Sequence, residues 1–139
     1  MSNVAFILQT SAAMEGHPAA SRVIGCAIEV HREMGPGLLE AAYESCLAHE
    51  LAVAGLEFRR QVPVPLVYKG TPIDCGFRLD LLVERDLIVE IKCVDAINPV
   101  FVAQIITYLR LTGAPQCLRL NFKVKRMTDG IKSFLRPRE

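Results

Sequence analysis

The sequence predicts an α/β fold: two N-terminal helices, a mixed four-stranded sheet that begins as a three-strand meander, a helix, a further strand and a short C-terminal helix. Three observations predict it. Apolar residues recur at steps of three or four between residues 19 and 54, and the pattern then becomes rich in Val, Leu and Ile between 58 and 94. A second helical stretch follows, before the apolar run "CLRLNF" at 117–122. A chain of 139 residues is long enough for one core, so the expected organisation is a flexible segment over residues 1–16 and a single domain over 17–139.

The N-terminal segment carries an apolar patch, Val4 to Leu8, without the basic stretch that precedes it in a secretory signal, and a short strand is the most order expected there. From Ala19 to Met34 the positions Val23, Ala27, Val30 and Met34 mark the inner side of a first helix, which "GPG" at 35–37 ends. Leu39, Ala42, Cys46, Leu47 and Leu51 mark the inner side of a second, stopped by Gly55, so the two should form a hairpin. The three strands follow, with turn signals at Lys69-Gly70 and around Arg85-Asp86. Pro63 and Pro65 lack ladder donors and place the first strand at an edge. Val102, Ile105, Ile106 and Leu109 give a third helix from Pro99 to Leu111, stopped by Gly113. "TDGIKSFLR" reads as a closing helix capped by Thr128 or Asp129.

Composition narrows the function classes. Five cysteines with no C-x-x-C pair, each among apolar neighbours, argue against zinc and a disulfide framework and for a reducing, cytoplasmic setting. No apolar run approaches the roughly 18 residues of a membrane span, so a soluble protein is expected. The net charge is +1, but the last 23 residues hold seven basic and two acidic side chains. Lys123, Lys125, Arg126, Lys132, Arg136 and Arg138, with Arg59 and Arg60, are candidates to meet phosphate, against the commoner reading of a solvated face.

The chemistry concentrates in "RLDLLVERDLIVEIK", where Asp80, Glu90 and Lys92 stand in the most apolar part of the chain. Strand alternation puts Glu90 and Lys92 on one face. A two-residue loop at Arg85-Asp86 would turn Asp80 to the opposite face. A three-residue loop, Glu84 to Asp86, sets Asp80 across from Glu90 and completes an apolar face of Leu79, Leu81, Val83, Leu87, Val89 and Ile91. Opposed carboxylates repel unless one keeps a proton or a cation lies between them. Mg²⁺ or Mn²⁺ suits an all-oxygen site, and Lys92 is then placed to act on the attacking water or a negative transition state. The alternative is a Lys92 salt bridge to either acid, with no chemistry.

Asp80 followed by "EIK" at 90–92 resembles the D...(D/E)-x-K core of the PD-(D/E)XK nuclease superfamily, and the element order is similar to its restriction-endonuclease-like core. "GLLEAAYE", with Gly37, Glu40 and Tyr43, resembles the signature of the GxxExxY proteins, and "VPVPLVYKG", "GFRLDLLVE", "AQIITYLRLTG" and "LNFKV" extend the likeness over about residues 20–134. The resemblance implies that Asp80, Glu90 and the carbonyl of Ile91 ligate the metal, that Lys92 is catalytic and that Glu40 is an additional acid. Gln104 and Tyr108 resemble the Q-x-x-x-Y motif of the recombination and exonuclease branch and would share one helix face. Leu79 replaces the usual Pro, and Phe101-Val102 stand where a polar pair is expected. Tyr43 is expected to pack, Glu44 and Glu50 to face water, and His17, His31 and His49 show no ligand spacing.

These readings lead to a Mg²⁺-dependent nuclease acting on nucleic acid, DNA ahead of RNA. The rivals are a nuclease-like module that binds nucleic acid without cutting it, and a protein-interaction module that pairs with a partner or as a homodimer.

Overall fold

The structure, a computed structural model, describes residues 16–137 together with the backbone of Leu8 and Gln9. The rest of the expected flexible segment and of the Val4–Leu8 patch lies outside the described residues.

A strand of two residues, β1 (Leu8–Gln9), is followed by α1 (Ala20–Met34) and α2 (Glu40–Val53). The meander is β2 (Phe58–Pro63), β5 (Arg78–Val83) and β6 (Leu87–Lys92), and between its first two strands lies a small ribbon, β3 (Val67–Tyr68) and β4 (Thr71–Pro72). The chain closes with α3 (Pro99–Thr112), β7 (Gln116–Asn121), a 3₁₀ turn (Met127–Gly130) and β8 (Ile131–Leu135). The sheet order is β1-β8-β7-β6-β5-β2, antiparallel except for the β6–β7 pair, whose crossover is α3. As the prolines require, β2 is an edge strand.

Helices α1 and α2 cover one face of the sheet, where Val23, Val30, Leu47 and Leu51 pack on Val83, Val89 and Leu118. Helix α3 covers the other, with Ile105 and Leu109 on Leu82, Ile88 and Cys117. Sandwiching the central strands explains why β6 and β7 are buried along almost their whole length. All five cysteines are free thiols. Among the described residues no helix is long and apolar enough to cross a membrane.

Four expectations are corrected. The closing element is a strand, because the edge of β7 offers a ladder to Ile131–Leu135, and this tertiary pairing overrides a weak local helical spacing. Gly130 introduces it where any Cβ would strike the Asn121 carbonyl. With β8 and β1 the sheet has six strands where four were expected. Leu39 is 80% exposed, since it is the extended N-cap of α2 and precedes the helical register, and Met34 ends α1 pointing outward. Leu79 packs beneath α3, opposite to Leu81 and Val83.

Candidate active site

Residues 84–86 join β5 to β6, and the ladder runs Val83 to Leu87, Leu82 to Ile88 and Leu81 to Val89. This is the three-residue loop, with Glu84 and Arg85 taking the positive φ angles that such a turn needs. At the next pair the ladder changes character. The Asp80 N–H donates to Glu90 Oε2 at 3.0 Å, and the Ile91 N–H donates to Asp80 Oδ2 at 2.8 Å. Carboxylates here replace main-chain carbonyls as acceptors, and the two acids are locked across the open end of the hairpin.

Glu90 is only 4% exposed. Burial, reinforced by the charge of Asp80, pushes its pKa up to about 8, against the opposing pull of the Asp80 N–H and of Lys92. Burial also raises Asp80, partly offset by its bond from Ile91. Lys92 forms no ion pair with either acid: its Nζ sits 4.2 Å from the centroid of the Phe101 ring on α3. The salt-bridge alternative is therefore not adopted, and Phe101, which departs from the expected polar pair, supplies a cation–π seat.

On the α2 side the site contains more than the sequence indicated. Glu44, expected to face water, is 8% exposed. It accepts from Arg60 Nε at 2.9 Å and from Gln61 Nε2 at 2.8 Å, and Gln61 Nε2 also lies 3.4 Å from Asp80 Oδ1. Gln61 takes a φ of 52° inside β2, where the ladder skips the Gln61–Asp80 pair. This left-handed residue, costly outside Gly, turns the amide onto both acids, and at the same break β5 shifts Leu79 under α3. Arg60, a candidate phosphate contact, is thus engaged by Glu44. Glu44 follows Glu40 by one helical turn, which was the available signal; Gln61 had none, because backbone strain leaves no mark in composition.

Glu40 opens α2 and is exposed, near enough for its charge to raise Glu90. Tyr43 packs as expected, stacked on Phe122 at 4.4 Å, with its hydroxyl donating to the Gly35 carbonyl and accepting from the Leu38 N–H. Tyr108 is buried against Phe77 at 5.6 Å, and its pKa is pushed up to about 12 by burial and by the charges of Glu90 and Asp80. Gln104 lies half-buried one turn earlier on α3. The end of β6 is pinned by Asn121, whose side chain bonds both the N–H and the carbonyl of Val94. Arg119, beside Glu90 in the β6–β7 register, turns away to lie 5.3 Å over Phe134.

The donor chemistry fits a hard divalent ion. A buried and a half-buried carboxylate lie side by side, each held by a backbone N–H through one oxygen, and the proton that Glu90 retains marks where positive charge is wanted. Among the described residues no three His, Cys, Asp or Glu side chains form a ready cage. An ion would draw on Asp80, Glu90 and main-chain or water oxygens such as the Ile91 carbonyl.

Compared with known families, residues 17–134 match the model of the PD-(D/E)XK nuclease superfamily. No curated protein and no solved structure matches the chain.

Proposed function

Because the chain belongs to the PD-(D/E)XK nuclease superfamily, we propose that it hydrolyses phosphodiester bonds of nucleic acid with Mg²⁺ or Mn²⁺, DNA ahead of RNA. Within the superfamily we place it with the GxxExxY proteins, on the strength of Gly37, Glu40 and Tyr43. The observation that carries the reading is the open end of the hairpin: two opposed acids, one holding its proton to about pH 8, beside a lysine bound to neither.

Held by Asp80, Glu90 and the Ile91 carbonyl, a divalent ion would polarise a phosphate oxygen and make water more acidic. Lys92 keeps its charge available over Phe101 and serves to orient the attacking water and to steady negative charge on the phosphate in the transition state. Tyr108 stays protonated at neutral pH and donates a hydrogen bond to a substrate oxygen. Glu40 and Gln104 are supporting groups, and Glu44 with Gln61 holds Asp80 in place. The Q-x-x-x-Y pair on α3 favours DNA and open ends.

Purified protein with Mg²⁺ or Mn²⁺ should hydrolyse single-stranded or open-ended DNA. Lys92→Ala should bind the ion normally yet lose about 10²- to 10⁴-fold in turnover, with smaller losses for Glu40→Gln and Gln104→Ala. Intact linear and circular DNA and RNA after incubation with either metal would remove the enzyme reading and leave a nucleic-acid-binding module in its place.

A further inference from the structure

Residues 64–77 leave the sheet between β2 and β5 as a closed excursion, tied at its base by the Val64 N–H to the Phe77 carbonyl at 3.1 Å. Its far part is the β3–β4 ribbon, turned at Lys69 and Gly70, both at positive φ. Tyr68 is 61% exposed, Val67 and Ile73 are exposed beside it, and Lys69 Nζ lies 5.4 Å from the Tyr68 ring centroid. A two-stranded ribbon has little stability of its own, and one that displays a Tyr and two β-branched residues to water gains little from them in the free protein beyond the exposed Lys69–Tyr68 contact.

Position gives the ribbon a role. Its base ends at Phe77 and Arg78, and Asp80 follows two residues later on β5. The strands place this base at the open end of the hairpin, where Glu90 and Lys92 close β6. Phe77 also packs edge-on against Tyr108, joining the ribbon's root to the helix that lines the site. Charge fits a polyanion: among the described residues Lys69 has no ion pair, and the nearby Asp74 is offset by Arg78 at 3.8 Å.

We propose that the ribbon Val67–Pro72 is a single-strand clamp beside the candidate active site, with Tyr68 stacking on an unpaired base and Lys69 meeting the adjoining phosphate. This rests on the nuclease reading of that site and narrows its substrate to single-stranded or frayed nucleic acid. An aromatic face binds any base, so the clamp holds the strand without reading its sequence, and a fully paired duplex offers it no free base.

A single-stranded oligonucleotide containing 2-aminopurine, titrated with Ca²⁺ present to quiet the acids, tests the clamp apart from cleavage. Wild type and Tyr68→Phe should quench the emission and bind the strand more tightly than a blunt duplex of the same sequence. Tyr68→Ala should lose the quench and weaken binding by about 5- to 150-fold. Lys69→Ala should reduce the salt slope by about 0.7. Where cleavage is seen, Tyr68→Ala should raise KM and spare kcat. Absence of cleavage would defeat the nuclease reading alone, because the quench still decides the clamp. An unchanged quench and affinity in Tyr68→Ala overturns the clamp with the nuclease intact, and so does an oligomer that this variant splits while oligonucleotide binding stays the same.

Discussion

The two ends of the β5–β6 hairpin use the same pair of strands for opposite purposes. At the closed end Leu81, Leu82, Val83, Leu87, Ile88 and Val89 are buried, and the main chain satisfies itself across a regular ladder. One pair further, Asp80 and Glu90 take over as acceptors, Gln61 strains opposite them, and a carboxyl is buried so deeply that it resists ionisation. The closed end stabilises the fold, and the open end draws on that stability to hold charges together where water cannot screen them. The same strand pair thus carries its anchor and its chemistry within a few residues.

The largest effect should come from the anchor. Leu87 has no exposed surface and packs under α1 and α2, so Leu87→Ala should cost about 2–5 kcal/mol in urea unfolding through lost burial and a residual cavity. Changes at Glu90 should act with the opposite sign when no metal is present. A Leu87→Ala loss below about 1 kcal/mol, or a loss of similar size at Glu90, would end the contrast.

How much of this the sequence carried follows the same divide. Period and turn chemistry made the meander, the three helices and the three-residue loop legible, because alternation and the apolar face of Leu81, Val83, Leu87, Val89 and Ile91 leave one register in reach. From parity and charge it was also legible that Asp80 meets Glu90. Three things were not. The Ile131–Leu135 strand depends on pairing with Gln116–Leu120 of β7, a tertiary contact, while its own spacing suits a helix equally well. Burial of Glu44 depends on Arg60 and Gln61 arriving from β2. The parity change at Leu79 falls beside the skipped Gln61–Asp80 pair, a backbone event with no compositional trace.

The second effect concerns the open end alone. A near-saturating excess of Mn²⁺, about 100 times its dissociation constant, should stabilise wild type by about 2.7 kcal/mol, because the folded site binds the ion and the unfolded chain hardly does. Asp80→Asn and Glu90→Gln should abolish that gain, while Leu87→Ala, at the other end of the same strand, should keep it. Equal metal response in wild type and both acid variants would place the ion elsewhere.

The smallest effect is a slope with pH. With divalent ions chelated, folded Glu90 keeps its proton up to about 8, whereas an ordinary glutamate of the unfolded chain loses it near 4.5. Between those values the folded protein binds more protons than the unfolded chain, so this group's contribution to stability falls as pH rises. Below the window both forms are protonated, above it both are ionised, and the dependence on Glu90 vanishes. The raised Asp80 acts in the same direction at lower pH. Glu90→Gln cannot ionise, so the unfolding free energy of the variant minus that of wild type should climb with pH, by at most about 1.4 kcal/mol per unit, and level off above 8. Urea titrations at intervals from about pH 5 to 9 measure it. A difference that stays flat across this range would mean that Glu90 ionises normally in the fold, and that the open end of the hairpin carries no more electrostatic cost than the closed one.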